Sequence, residues 1–433
     1  MSYRNKFALV LASATIASYA LLGSCSGVGN ILNIHAQQPI NDAGAQVRIF
    51  ESVLQHIQNY YVDEPNLEKV RTGALRGLAN GLDPYSSYLT ADQVKDYQDK
   101  KQNTLVGVGA EFSQVSYLYV ISVIKDSPAD KAGLKSGDFI EYIDNKATRD
   151  MSLYDARRMM LGEAGSKINL RVLRPGEKPQ TLTINRGAYK IPQAEARIEN
   201  GKIGVIKVYS LEDGESNDIK NHVQNLAKQG VQKIVLDLRG VAAGNIQEGV
   251  NVANLFIKDG KLAEVIGRDN KVLETYNAEP SKFVFEGKVA TLIDLATSGA
   301  AEVVSSAMID RQRGDVIGEK SFGAGTVQQL FTLRGGDGLL LTTAKWASAN
   351  GKTFLMDDRS ESGVKPSIEV KRPETPEPID PEDLTNSEEQ NTQPNAQPSP
   401  TPTPVPVKQE DLQLKKALEI LMQDKPMSMQ KAA

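Results

Sequence analysis

One cysteine, Cys25, and three histidines, His35, His56 and His222, are all that 433 residues contain of these two types. A single thiol excludes an intramolecular disulfide framework and any thiolate-held zinc or iron–sulfur cluster. Three scattered histidines leave little material for a histidine-rich metal site or a Ser-His-Asp triad, so no metal and no cofactor is expected. An excess of one charge is missing too: 50 Lys and Arg face 54 Asp and Glu, a formal net charge of −4. That balance argues against a nucleic-acid partner, which calls for a basic excess or patch. Beyond the N-terminal stretch, no run reaches the roughly 18–20 apolar residues of a membrane span. Any chemistry is expected to proceed without cysteine or histidine. Length is abundant, and at roughly 150 residues per domain it suggests two or three domains.

The first 25 residues read as an address. Arg4 and Lys6 precede an apolar stretch from Phe7 to Gly23, and Leu22-Gly23-Ser24 leads into Cys25. A charged segment, an apolar segment and a small-residue cleavage pattern form an export signal. With cysteine directly after the scissile bond it resembles a bacterial lipoprotein signal, in which Cys25 carries lipid. An ordinary secretory signal and an uncleaved anchor are the alternatives, and all three export the chain. The expected location is the bacterial cell envelope, periplasm or surface, with a lipid on Cys25 holding the protein to the membrane.

Residues 26–44 read as a polar tether. In 45–103, Phe50, Val53, Leu54, Ile57 and Tyr61 recur at helical spacing. A second helix after Pro65 turns Leu67, Val70, Ala74 and Leu78 inward and ends at Gly81. The two helices are expected to form a small packing domain, with a turn over Leu82–Leu89. Residues 104–190 read as strands Val106–Phe112, Leu118–Ile124, Phe139–Ile143, Ile168–Leu173 and Gln180–Ile184, plus one amphipathic helix near Leu153–Leu161. In 191–370, strands alternate with helices, which predicts an α/β core with a largely parallel sheet. Residues 371–408 hold 10 of the chain's 20 prolines and carry an acidic excess, the composition of a disordered spacer. A short helix over 409–424, patterned by Leu412, Leu414, Ala417, Leu418 and Leu421, is marginal alone and is expected to dock on a partner. The terminal helices are the expected route to homo- or hetero-oligomers.

Gly107-Val108-Gly109-Ala110-Glu111-Phe112, followed by the run Ser127-Pro128-Ala129-Asp130-Lys131-Ala132-Gly133-Leu134-Lys135-Ser136-Gly137-Asp138, resembles a PDZ domain. The glycines let backbone N–H groups of Gly107, Val108, Gly109 and Ala110 converge on a carboxylate, and the next strand pairs with an extended peptide. Ala156, Met159 and Met160 are the expected opposite wall of the groove. The implied partners are polypeptide C-terminal tails.

A PDZ segment between a helical region and an α/β core, together with the core's motifs, resembles the carboxy-terminal processing (tail-specific) protease family. The likeness runs from about residue 45 to 370. Asp237-Leu238-Arg239 sits where the family has a Leu-Arg-x-Asn-Pro-Gly-Gly loop. Gly318-Glu319-Lys320-Ser321-Phe322-Gly323-Ala324-Gly325 corresponds to its Gly-Glu-x-Thr-Phe-Gly-Lys-Gly segment, and Leu341–Lys345 and Gly363–Pro366 continue the likeness. The resemblance implies an α/β multidomain protein with an inserted PDZ domain, and a Ser/Lys dyad. In that chemistry a serine at a helix start attacks the peptide bond and a buried lysine takes its proton. Backbone N–H groups hold the oxyanion, and a glutamine positions the lysine.

Here the residues depart from the family. The nucleophile's motif reads Ser298-Gly299-Ala300-Ala301-Glu302, which places Gly299 at the nucleophile position and Ala324 at that of the lysine. Only Gln328 of the three is retained. The oxyanion donors would be Ala300, Ala243 and Gly244, in a loop (Gly240-Val241-Ala242-Ala243-Gly244) that has lost its proline and one paired glycine. The reading is therefore a pseudoprotease that binds C-termini or modulates an active relative. The alternative is an active serine endopeptidase in which Ser298 works with Lys320 or Lys345. Ser298 as a helix cap, two solvated lysines and a packing role for His222 are the plainer readings of those residues. The Gly318–Thr326 loop is only faintly like a phosphate-binding loop and lacks its lysine.

Overall fold

A computed structural model describes residues 43–99, 106–149, 151–372 and 410–423. The export signal with Cys25, nearly all of the tether, the proline-rich stretch 373–409 and residues from Asp424 onward lie outside the described residues. The chain divides into two units, residues 1–71 and 72–433.

Helices α1 (Ala43–Tyr60) and α2 (Leu67–Asn80) form where the periodicity placed them. Their apolar face does not become a core. Phe50, Val53, Leu54, Leu67 and Leu78 are all exposed, and no residue of α1 is buried. Two helices of 18 and 14 residues cannot by themselves enclose one. The expected turn at Leu82–Leu89 also gives way in part. Ser87–Leu89 is a strand, β1, and α3 (Ala91–Gln98) follows it.

The next domain is a sheet of β2 (Ala110–Val115), β3 (Tyr117–Val123), β4 (Phe139–Ile143), β5 (Lys167–Leu173) and β6 (Gln180–Asn185), in that spatial order. The amphipathic helix α4 (Leu153–Met160) is capped by Ser152, whose side chain accepts from the Asp155 N–H. Leu153, Ala156 and Met160 share its buried face and pack with Phe112, Leu118, Ile140 and Ile168. The first strand starts later than its apolar run suggests. At Gly109 the backbone takes φ +81°, and a β-carbon there would overlap Ser127. The chain therefore turns at Gly109 and enters the sheet only at Ala110.

The core is built on a six-stranded sheet. Its strands in chain order are β7 (Glu195–Glu199), β8 (Ile203–Lys207), β9 (Lys233–Asp237), β12 (Lys288–Ile293), β13 (Gly314–Gly318) and β16 (Ile368–Glu369). Spatially the order is β16-β13-β12-β9-β8-β7, and every pair is parallel except β7–β8. The inner strands are apolar on both faces, as burial between helix layers requires. Helices α5 (Glu215–Lys228), α6 (Ile246–Phe256) and α7 (Ala300–Asp310) cover one face, packing Ile219, Val223, Val252 and Val303 with Ile206, Ile234 and Val289. A second sheet, absent from the sequence reading, is antiparallel. It comprises β1, β10 (Lys261–Ile266), β11 (Val272–Asn277), β14 (Thr326–Thr332) and β15 (Gly338–Ser348). Its β1 pairs Tyr88 with Leu339, and the Tyr88 hydroxyl donates to Asp337 at 2.6 Å.

Helix α8 (Leu412–Met422) docks on its own chain, where a partner's surface was expected. Ala417 and Leu421 pack on Val205, Val235, Ala290, Leu292 and Ile317, the sheet face opposite α5–α7. Arg239 pins its start, donating to both carboxylate oxygens of Asp411 at 2.8 Å while holding Asp237. The apolar face of the sheet lies within reach of the chain's own tail, so the marginal helix is stabilised without a partner.

Candidate functional site

Strand β12 ends at Ile293, and the chain turns sharply into α7 at Gly299, whose backbone takes φ +58°, ψ −112°. This region strongly favours glycine, and a strained strand-to-helix turn of this kind presents a side chain at the head of a helix. A β-carbon at Gly299 would meet only Trp346, at an ordinary 3.6 Å. There is room for a side chain and none is present.

Glu302 organises the surroundings. It is fully buried, and its Oε2 accepts the N–H groups of Gly299 and Ala324, each at 2.8 Å. Two bonds to one atom place those two backbone nitrogens at most twice 2.8 Å apart, so positions 299 and 324 are neighbours in space. Its Oε1 accepts the Gly323 N–H at 2.7 Å and the Ser321 hydroxyl. Burial pushes its carboxyl up to about 7, against the pull of these four donors. In the sequence Glu302 stands out only as the last residue of the Ser298–Glu302 motif. An acid three residues after a helix N-cap was the available signal. Ser298 does not cap α7: Gly299 is the N-cap residue, and Glu302 reaches back to its N–H.

The other expected site residues fall as follows. Ala300 opens α7. The Gly240–Gly244 loop lies against the turn, because Ser298 N–H donates to the Val241 carbonyl at 2.9 Å. The Ala243 carbonyl accepts from Leu211, and Gly244 pairs with Leu211 in a β-bridge. Gln328 donates to the hydroxyls of Thr326 at 2.6 Å and Thr342 at 3.3 Å. Ala324 borders an apolar cluster of Tyr117, Tyr119, Ile121, Phe139, Leu173 and Phe322. There the ring of Tyr119, from β3, stacks on Phe322 with centroids 5.4 Å apart.

Neither alternative lysine is turned to Ser298. Lys320 donates to the Ser360 carbonyl at 2.7 Å, and burial, with Lys365 and Arg359 nearby, holds its ammonium below the usual lysine range. It is therefore engaged with the backbone, which differs from a freely solvated lysine. Lys345 pairs with the exposed Asp357 at 3.1 Å. Among the described residues no hydrogen bond joins Ser298 Oγ to either. His222 bonds the Ala194 carbonyl at 2.9 Å. In the loop likened to a phosphate cradle, the Gly323 and Ala324 amides are already spent on Glu302.

The glycine loop of the smaller domain is arranged differently. The Gly107 carbonyl accepts from Gly187, Val108 from Ala129, and Gly109 from Ile124 and the Ser127 hydroxyl. In a trans peptide each carbonyl opposes the next N–H. The N–H groups of Val108, Gly109 and Ala110 therefore turn the other way, outward. Of the expected wall, Ala156 and Met160 are buried in the domain core, and Met159 is partly exposed beside them. Residues four apart on a helix share a face, and Leu153, Ala156 and Met160 share the inner one. Arg157, passed over in the sequence, reaches across from α4 to the Phe112 carbonyl on β2 at 3.0 Å.

Residues 202–370 match the model of peptidase family S41, and residues 119–174 match that of the PDZ domain. The chain is 28% identical over 370 residues to the carboxy-terminal processing protease CtpA of Bacillus subtilis, covering 85% of this chain and 77% of that protein. It is 30% identical over 334 residues to the carboxy-terminal-processing protease of Bartonella bacilliformis, covering 76% of each. Among solved structures, the photosystem II D1 C-terminal processing protease superposes with a TM-score of 0.63 at 24% identity, covering 75% of this chain and 92% of that one. That likeness speaks for the fold.

Proposed function

The chain belongs to the carboxy-terminal processing protease family, peptidase family S41, and carries a PDZ domain; from that membership we propose that it is a relative without peptidase activity that binds polypeptide C-termini. The observation that carries the reading is Gly299. The strained turn into α7 holds a residue with no atom to attack a peptide bond, and its neighbour across Glu302 is Ala324, with no group to accept a proton. The lysines that would rescue a Ser298 mechanism are engaged elsewhere, Lys320 on Ser360 and Lys345 on Asp357.

The outward N–H groups of Val108–Ala110 beside the edge strand β2 support tail binding. In the cell the protein would hold tails that an active relative cuts, or modulate such a relative in mixed oligomers. The export signal and Cys25 extend the proposal to a lipid-anchored protein of the bacterial envelope. A Cys25→Ser chain should then lose acyl label and leave the membrane fraction.

The test of inactivity pairs a fluorophosphonate probe with digestion of an unfolded protein that ends in apolar residues. No labelling and no cleavage are expected. Cleavage abolished by Ser298→Ala would overturn the proposal in favour of a relocated nucleophile. Tail binding is tested by calorimetry with free and amidated peptides, where equal affinity would remove it.

A further inference from the structure

Strand β2 is the edge of its sheet, and its pairing shows which backbone groups are free to take a partner. Phe112 faces Val120 on β3. The Val120 N–H donates to Asp138 and its carbonyl accepts from Gly137, both away from β2. Phe112 and Val120 are thus a pair that exchanges no bonds, and the N–H and C=O of Phe112 point to the open edge. The carbonyl is not idle. The guanidinium of Arg157, on the helix across the groove, donates to it at 3.0 Å, where an added strand would place its own N–H.

The register of such a strand follows from the glycine loop. A terminal carboxylate seated on the N–H groups of Val108–Ala110 puts the last residue of an antiparallel peptide beside Ala110. With a period of two, the antepenultimate residue lies beside Phe112. Its N–H must displace Arg157, which is left next to that residue's side chain. The arginine has capacity to spare. Its ion pair with Glu111 is long, 3.5 Å, and its side chain is half exposed. Partial burial raises the Glu111 carboxyl above the usual range, Arg157 opposes this, and the nearby Glu212 adds to it. A guanidinium has five donors in a planar fork suited to a carboxylate.

We propose that Arg157 makes this groove selective for C-terminal tails with an acidic residue at the antepenultimate position. The inference rests on the tail-binding reading above and deepens it.

Fluorescence anisotropy on the full chain tests it, with ten-residue alanine-rich peptides ending in X-Ala-Val, where X is Glu, Gln or Lys. The Glu peptide should bind about tenfold more tightly than the Gln peptide at low salt, with Lys weakest, and the gap should narrow as salt rises. Arg157→Gln should equalise Glu and Gln while both still bind, which also shows that the variant is folded. Arg157→Glu should favour Lys. Equal binding of Glu and Gln by the unaltered protein, or a preference that survives Arg157→Gln, would overturn the proposal and leave tail binding standing. Amidated peptides binding as well as free ones would overturn both.

Discussion

At Gly107–Ala110 and at Gly299–Ala324 the chain builds the same device, a group of backbone N–H groups turned toward one place, and finishes it differently. In the PDZ loop the carbonyls are spent inside the domain and the amides of Val108, Gly109 and Ala110 face outward. In the protease-like core the amides of Gly299, Gly323 and Ala324 all end on Glu302, a residue of the same chain. The tail-binding proposal would have the first satisfied by a ligand, whereas the second is already satisfied within the chain. Its bonds run through backbone groups, and the one demand on residue type is the φ of +58° at Gly299, which favours glycine. Such a frame stands without a reactive pair, because the bonds that hold it together are made by Glu302 and the backbone.

The strongest test of this contrast is to refill the frame. Gly299→Ser combined with Ala324→Lys should bring back cleavage of an unfolded substrate, on the order of 10²-fold or more above background, with fluorophosphonate labelling at residue 299. Either change alone should stay at background. Failure of the pair would mean that the altered Gly240–Gly244 loop no longer supplies its part, and the frame would then be intact only in appearance.

The next largest effect should fall on the other loop. Gly109→Ala combines a positive φ with an overlap against Ser127, and should cost about 3 kcal/mol in urea denaturation while abolishing tail binding. Glu302→Gln should cost about 2 kcal/mol, since an amide cannot accept from all four donors. A pH effect goes with it. Glu302 titrates near 7 in the fold against an ordinary 4.5, so between those values the native state binds more protons than the unfolded one. Stability should therefore fall as pH rises through that window, and Glu302→Gln should flatten the slope. Lys345→Ala, which removes one exposed ion pair, should shift stability by no more than about 1 kcal/mol and leave probe labelling at background.

The sequence carried those parts of this contrast that depend on local pattern. The Ser127–Asp138 run and the alternation of strands and helices over 191–370 were legible because each has a period or turn chemistry of its own. The second sheet was not. Its β1 is three residues long, and β14 and β15 become a pair only through the Gly335-Gly336 turn between them. The burial of Ala156 and Met160 was not legible, because they look like any apolar pair until the helix is rotated onto its core. Glu302 was hidden because its partners, Ser321, Gly323 and Ala324, lie about twenty residues away. Its place three residues after the N-cap marks the bond to Gly299, but nothing local marks its service to the distant amides.

The docking of α8 closes the second face of the core sheet. Roughly fifty residues lie between the strand at Ile368 and Leu421 on the helix. Until α8 docks, one face of the sheet has its helices, while Val205, Val235, Ala290 and Leu292 wait for theirs. A molecule from which α8 has come away would keep both sheets and the PDZ domain yet display a bare apolar face, a surface that invites aggregation or a foreign helix. The grip of Arg239 on Asp411 is therefore a safeguard of solubility as well as of shape.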